Sequence, residues 1–404
     1  MPTRPDGTGA MRRNGCGAAP REIGDERASA EALRRPSRIA STACRVGRRE
    51  LRRGLERRGA VAGQGRASRA GRQGSFYVGG EVLHTDATSG TPGGFIYPNE
   101  DDIKVNQMYV QFQVPQAGPG HVPVVMLHGC CLSGKTWEDT PDGRMGWAEY
   151  FVRRHRAVYV PDQSSRARSG FDATTINKVR LGELPPSALP NIFTFGVRAA
   201  WELFRFGPAY PNAFGDQQFP VEAISEFGNQ VIPDLNATLP TPNPTYANLA
   251  ALGRKVDGAV LMGHSESGFF PELAALTDAS GIKGMISIEG VCPAQTPQQI
   301  ATLAKIPTLV IFGDHLPDVP SSATLWNGAL SGCQQFVDQL NAAGGDATML
   351  HLPKVGVFGN SHMLMQDRNN LQVADLVLEW LDEHVDGRHG RGHPGKPGGK
   401  DERK

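Results

Sequence analysis

The chain has 404 residues, 42 basic and 41 acidic side chains, and a formal net charge of +1. The near-neutral total hides a division: residues 1–74 hold 18 arginines, no lysine and 7 acids, a net of +11, and residues 75–404 carry the opposing −10. An acidic body excludes a broad nucleic-acid-binding face there. No apolar run reaches the length of a membrane span, and six cysteines are too few for a disulfide-built scaffold of this size.

Residues 1–74 are rich in Arg, Ala and Gly with little apolar periodicity, so they cannot bury enough surface to offset their ordering entropy and are expected to be disordered. They lack the apolar core of a secretory signal, and Asp25, Glu26, Glu31 and Glu50 count against a transit peptide. Order is expected from about Ser75, with a domain over 75–384 and a disordered tail over 385–404. That tail holds His389 and His393, which read as solvated residues, not as metal ligands. Ser75–Val78 and Gln107–Val114 read as strands, the second alternating polar and apolar at period two. Pro123–Leu127 is a short continuous apolar run, as a buried parallel strand requires, and it leads into His128-Gly-Cys-Cys131. A helix over Met145–Arg154, a strand over Ala157–Val160 and an Asp162–Ser169 turn follow.

Residues 171–244 interrupt this rhythm with many prolines and scattered aromatics, and read as a cap insertion. Most of its aromatics are expected to form the cap's own core; Trp201 and Phe204 are the candidates to line a pocket. The strand–helix alternation then resumes: a helix near 245–256, strand Ala259–Met262, strand Lys283–Glu289, a helix near 296–304, strand Thr308–Phe312, a helix near 323–342 and strand Ala347–Leu352. A final helix puts Leu371, Ala374, Leu378 and Leu381 on one face and ends near His384. Strands alternating with helices predict an α/β fold, a mostly parallel sheet with helices on both faces.

The chemistry-bearing stretch is Gly263-His-Ser-Glu-Ser-Gly268, between a buried strand and a helix. A strand-to-helix elbow there lifts the Ser265 hydroxyl above the sheet and leaves the Glu266 N–H facing the same space. Gly-x-Ser-x-Gly is the usual form, and Ser267 stands where the second glycine is expected. A serine nucleophile needs a base and a carboxylate to orient it. His362, ten residues past the last strand, has the position such a histidine requires. Two acids end strands after the elbow, Glu289 and Asp314; either gives the order Ser, acid, His, and both stay open on position alone. The cysteine spacing fits no zinc site. Adjacent Cys130 and Cys131 read as two thiols or as a strained vicinal disulfide that aims the Cys130 N–H into an oxyanion hole. Cys292 and Cys333 follow neighbouring strands and could approach closely enough to bond. Both bonds need an oxidising compartment, so an extracytoplasmic location is suspected although no export signal is recognisable.

The elbow, Leu127-His-Gly-Cys-Cys-Leu132, Thr140-Pro-Asp-Gly-Arg-Met-Gly-Trp147, Gly359-Asn-Ser-His362 and Met365–Asp375 together resemble a group of bacterial serine esterases of the α/β-hydrolase fold, over roughly residues 75–384. The resemblance implies a triad of Ser265, His362 and Glu289, with Glu289 preferred over Asp314. It also implies an oxyanion hole at Cys130 and Glu266 and a bonded Cys130–Cys131 pair. The expected activity is hydrolysis of a small-molecule carboxylic ester through an acyl-enzyme, with neither metal nor organic cofactor and with no nucleic-acid partner; a homodimer is compatible with the sequence. The alternative is a non-catalytic ligand-binding relative, which such a complete set of residues argues against.

Overall fold

The computed structural model of the chain describes residues 70–88, 100–118 and 120–387. The expectations for residues 1–69 and 388–404 lie outside those residues. Among the described residues eight strands form one sheet: β1 (Ala70–Thr85), β2 (Asp101–Pro115), β3 (Val124–Leu127), β4 (Val158–Pro161), β5 (Ala259–His264), β6 (Ile282–Ile288), β7 (Thr308–Phe312) and β8 (Ala347–His351), in the order β1-β2-β4-β3-β5-β6-β7-β8. β2 pairs antiparallel with β1 and β4, and every other pairing is parallel. The expected mostly parallel sheet is therefore present, with an antiparallel ribbon at one edge. Strand β1 is already paired at Ala70, five residues before the predicted start of order, because the β1–β2 ladder extends to the pair Ala70 and Pro115.

The continuous apolar runs of the inner strands are buried on both faces. Val124 and Met126 join Val260, Met262, Ile286, Ile288, Leu309 and Ile311 in one core, whereas Val125 and Leu127 join Leu261 and Met285 in the other. That split is the two-residue period of a strand. The second core is closed by helices Pro244–Lys255 and Phe270–Thr277, which contribute Leu249, Leu252, Phe270 and Ala274. The first of these helices is set by Asn243, whose side chain accepts from the Thr245 N–H, and by Pro244 in its first turn. Over the first core lies helix Asn370–His384, burying Ala374, Leu378 and Leu381 as the spacing predicts, with Leu371 half-buried.

Between β4 and β5 the chain makes short helices at Thr174–Leu181, Val197–Leu203 and Ile224–Gly228. Phe204, Phe206, Phe219 and Phe227 pack edge-on or stacked with one another inside the first core, so this insertion shares its apolar interior with the sheet. Trp201 belongs to that packing. Its ring meets Phe206 and Tyr210, and its indole N–H donates to the Asn212 carbonyl (3.1 Å), in place of the pocket-lining position expected for it.

Parallel neighbours end on the same edge. The register pairs Leu127 with Gly263, His264 with Ile288 and Ile288 with Ile311, so the segments leaving β3, β5, β6 and β7 emerge side by side. Those segments begin His128-Gly-Cys-Cys, Ser265, Glu289 and Gly313-Asp314.

Candidate active site

Ser265 leaves β5 in the left-handed conformation (φ +58°) and opens a short turn, Ser265–Phe269, that runs into helix Phe270–Thr277. For a residue with a Cβ this conformation costs about 1–2 kcal/mol. Ser267 replaces the expected glycine with a benefit. Its hydroxyl accepts from the His264 N–H (3.0 Å) and stands 3.2 Å from the Leu127 carbonyl, to which it donates, tying the elbow to β3. The crossing that needs a glycine lies one residue on, where a Cβ on Gly268 would come within 2.6 Å of Gly290 Cα. Across the site Gly129 is equally constrained, since its Cβ would lie 2.8 Å from Ser265 Cβ and 3.0 Å from His264 Nδ1. Close backbone approach thus sets the His-Gly-Cys-Cys loop against Ser265.

His362 reaches the site from the loop before helix Asn370–His384. Its N–H donates to the Phe204 carbonyl (3.0 Å), and its ring is enclosed by Phe204, Trp326 and His264, with centroids 4.7, 4.5 and 4.7 Å away. Nδ1 faces Glu289 Oε2 at 3.1 Å. Beside a carboxylate that nitrogen carries the proton, which leaves the Nε2 lone pair free. Nε2 is buried with no hydrogen-bond partner among the described residues, the Ser265 hydroxyl included. Burial, working against Glu289, lowers the His362 pKa, so the ring is neutral at neutral pH. Asp367 secures the loop from below, accepting from the Ser361 hydroxyl (2.6 Å), the Ser361 N–H (2.9 Å) and the Asn360 amide (2.9 Å).

Glu289 is fully buried and, like Ser265, left-handed (φ +54°). Its Oε1 accepts from Arg205 Nη2 (2.7 Å) and the Gly313 N–H (2.5 Å). Burial alone would raise its pKa, but Arg205, His362 and the Gly313 amide outweigh burial and hold it at about 2. The rival acid is turned elsewhere: Asp314 accepts the Gly359 N–H (3.0 Å) and the His315 N–H (2.7 Å). Of the two acids left open by position, Glu289 is the one that meets His362.

On the other side of Ser265 lies a second polar cluster. Arg166, fully buried, stands 2.7 Å from Asp234 Oδ1 and 3.5 Å from Glu266 Oε2. Glu266 also accepts from the Asn236 amide (2.7 Å). Cys130 and Cys131 are thiols in the structure, not the bonded pair expected, with sulfurs 2.9 Å apart and Cys130 Sγ 3.3 Å from Asp234 Oδ2. Cys131 is left-handed (φ +58°), and its carbonyl accepts the Ile232 N–H (2.9 Å) from the insertion. The expected approach of Cys292 and Cys333 is realised as a disulfide closing a separation of 41 residues. His128 is neutral, its pKa pushed down to about 4 by burial and then by Arg166, and it bridges Gln163 through its ring and carbonyl.

Sequence reasoning missed Arg205, Arg166, Asp234, Trp326 and the packing of His264 on His362. Nothing in the sequence distinguishes Arg166 and Arg205 from the solvated arginines, since both partners of each ion pair are far apart along the chain.

No family model matches the chain. A solved structure of a bacterial esterase is 48% identical to it, the match covering 80% of this chain and 98% of that one with a TM-score of 0.75. A probable secreted lipase, phiG, of Fungal sp. (strain ATCC 74256) is 23% identical over 332 residues, covering 68% of this chain and 85% of the relative. Among the described residues no helix is long and apolar enough to cross a membrane. With that sheet order, that elbow and a relative that close over nearly its whole length, the chain belongs to the α/β-hydrolase serine esterases.

Proposed function

We propose that the protein hydrolyses small-molecule carboxylic esters with Ser265 as nucleophile, His362 as base and Glu289 as the carboxylate that orients it. The observation carrying this reading is the His362 ring: its Nδ1 is engaged by an ionised carboxylate and its Nε2 is buried without a partner. His362 takes the Ser265 proton as Oγ attacks the ester carbonyl, and the N–H groups of Cys130 and Glu266 receive the oxyanion. The tetrahedral intermediate collapses, the alcohol leaves with the proton from His362, and water activated by the same imidazole frees the acid. Apo geometries of such sites are often loose and tighten on substrate, so a Ser265 hydroxyl unbonded to His362 fits this scheme.

The Cys130 and Cys131 thiols, unbonded in the structure with sulfurs 2.9 Å apart, are close enough to oxidise to a disulfide with little movement. A bonded pair needs its sulfurs about 2.05 Å apart, and the two thiols release two electrons and two protons to the oxidised thiol pool of their compartment. The Cys292–Cys333 disulfide supports an extracytoplasmic compartment. The test is fluorophosphonate labelling with peptide mapping, run with and without reductant. The label is expected on Ser265 and absent in Ser265→Ala, whose kcat falls by about 10⁶-fold. Labelling that weakens under reductant, together with a non-reduced Cys130–Cys131 peptide, supports the bond. A protein that takes no label in either condition returns the non-catalytic reading.

A further inference from the structure

The insertion enters the proposed triad through two consecutive residues. Phe204 supplies the carbonyl that accepts the His362 N–H and a ring that lies on the imidazole. Arg205 follows in the left-handed conformation (φ +60°), with a guanidinium that has no exposed surface. Its Nη2 meets Glu289 Oε1 at 2.7 Å and its Nε donates to the Asp314 carbonyl at 2.8 Å. Its Cζ stands 5.1 Å from the ring centroid of Trp326, the same indole that covers His362. Nη1 is buried without a partner among the described residues. Stripping water from a guanidinium and leaving one nitrogen unpaired is a poor way to fasten an insertion, for which apolar contacts suffice. A strained, desolvated cation against the triad carboxylate makes sense when its charge is what the site uses.

We infer that Arg205 is a positioning residue of the catalytic triad: from the insertion it clamps the Glu289 carboxylate against His362 and by its charge controls the proton balance of that pair. The inference rests on the triad reading above. Arg205 and Glu289 cancel in the resting site, so His362 is a neutral base; the imidazolium of the transition state is the charge added on this side of the site, opposite the oxyanion. Around His362 the titratable and charged neighbours are Glu289 at the end of β6, Arg205, His264 at the elbow, Asp367 under the loop, and Asp314 and His351 from β7 and β8. His264 is held neutral by burial, which leaves Arg205 as the permanent cation of the group. It opposes proton uptake at the pair, the direction in which it acts on both His362 and Glu289.

The experiment is the pH dependence of kcat/KM, and of fluorophosphonate labelling rate, for wild type, Arg205→Gln and Arg205→Lys, with Ser265→Ala alongside. Removing the cation lets the Glu289–His362 pair take up a proton at higher pH, so the acid limb of Arg205→Gln moves upward by about one pH unit, with kcat reduced at the plateau. Arg205→Lys keeps the charge but cannot bridge Glu289 and the Asp314 carbonyl together; its kcat falls while its acid limb stays near that of wild type. A folded Arg205→Gln enzyme whose acid limb does not move overturns the inference. Should that variant not fold, Arg205→Lys decides: a limb displaced as far as one unit, or an unaltered kcat, also overturns it. Activity persisting in Ser265→Ala would instead sink the triad reading, so the two failures are distinguishable.

Discussion

One buried arginine stands on each side of Ser265, and the two serve different numbers of acids. Arg205 serves Glu289 alone, and that carboxylate is ionised down to about pH 2. Arg166 is shared by Asp234 and Glu266; burial raises the Glu266 pKa, and the neighbouring Asp234 adds to that rise against the pull of Arg166. One cation per acid locks the charge state of a buried site. Two acids on one cation leave a proton that comes and goes near neutral pH. The charge at Glu289 is therefore fixed, and the charge at Glu266 is titratable. A base that must stay neutral needs the first arrangement, whereas a backbone N–H donor tolerates the second.

The largest effect comes from breaking the locked side. In Glu289→Gln the amide oxygen stays with Arg205 and the Gly313 N–H, so an NH2 group faces Nδ1 and disfavours the Nδ1–H tautomer, and Arg205 loses its counter-charge. The kcat of the variant is expected to fall by about 10⁴-fold with its fold retained. Asp314→Asn, which disturbs only the Gly359 and His315 contacts, is expected to lose far less. Steady-state kinetics on a soluble ester checks both, and a loss in Asp314→Asn as large as that in Glu289→Gln would reverse the assignment of the acid.

Much of the fold was legible in the sequence, and the physical reasons are visible. β3, β5 and β7 are buried along their length, so they appear as short apolar runs, and parallel strands bring their exits to one edge. Ser265 stands out by its strand-to-helix elbow and His362 by its position after the last strand. Chain position did not decide between Glu289 and Asp314, because both leave adjacent strand ends, and only the resemblance favoured Glu289; what separates them in the structure is the left-handed turn at Glu289 and the capture of Asp314 by the Gly359 loop. Trp201 and Phe204 look alike in composition, yet one packs within the insertion and the other on His362. Arg205 lies 84 residues from Glu289 along the chain. A pair that distant leaves no periodic trace.

Arg166 offers a test of intermediate size, this time on stability. In Arg166→Met the carboxylates of Asp234 and Glu266 lose their cation, at a cost of about 3–5 kcal/mol when both are ionised. The sign with pH follows from the raised Glu266 pKa. As pH falls Glu266 takes up a proton and no longer needs the cation, so the deficit shrinks. Urea unfolding at pH 5 and pH 8 should show the larger gap from wild type at pH 8. An equal gap at both values would mean that the oxyanion side is locked like the triad side, and the contrast between them would fail.

The smallest effect is the sharpest probe of the titratable side. Glu266→Gln leaves the proposed oxyanion N–H in place and keeps an acceptor for Asn236, but removes the group whose pKa burial raises. In the wild type, ionisation of Glu266 places a negative charge beside the developing oxyanion, only partly offset by Arg166. The kcat should therefore decline as pH rises through the Glu266 pKa, by roughly fivefold given a charge a few ångströms away in a partly screened site. Glu266→Gln should match wild type at acid pH and hold its plateau at alkaline pH, since the group held responsible for the decline is gone. Parallel kcat–pH profiles decide the matter. If the variant retains the alkaline decline, the decline belongs to another group, and the shared arginine is then no more titratable than the unshared one.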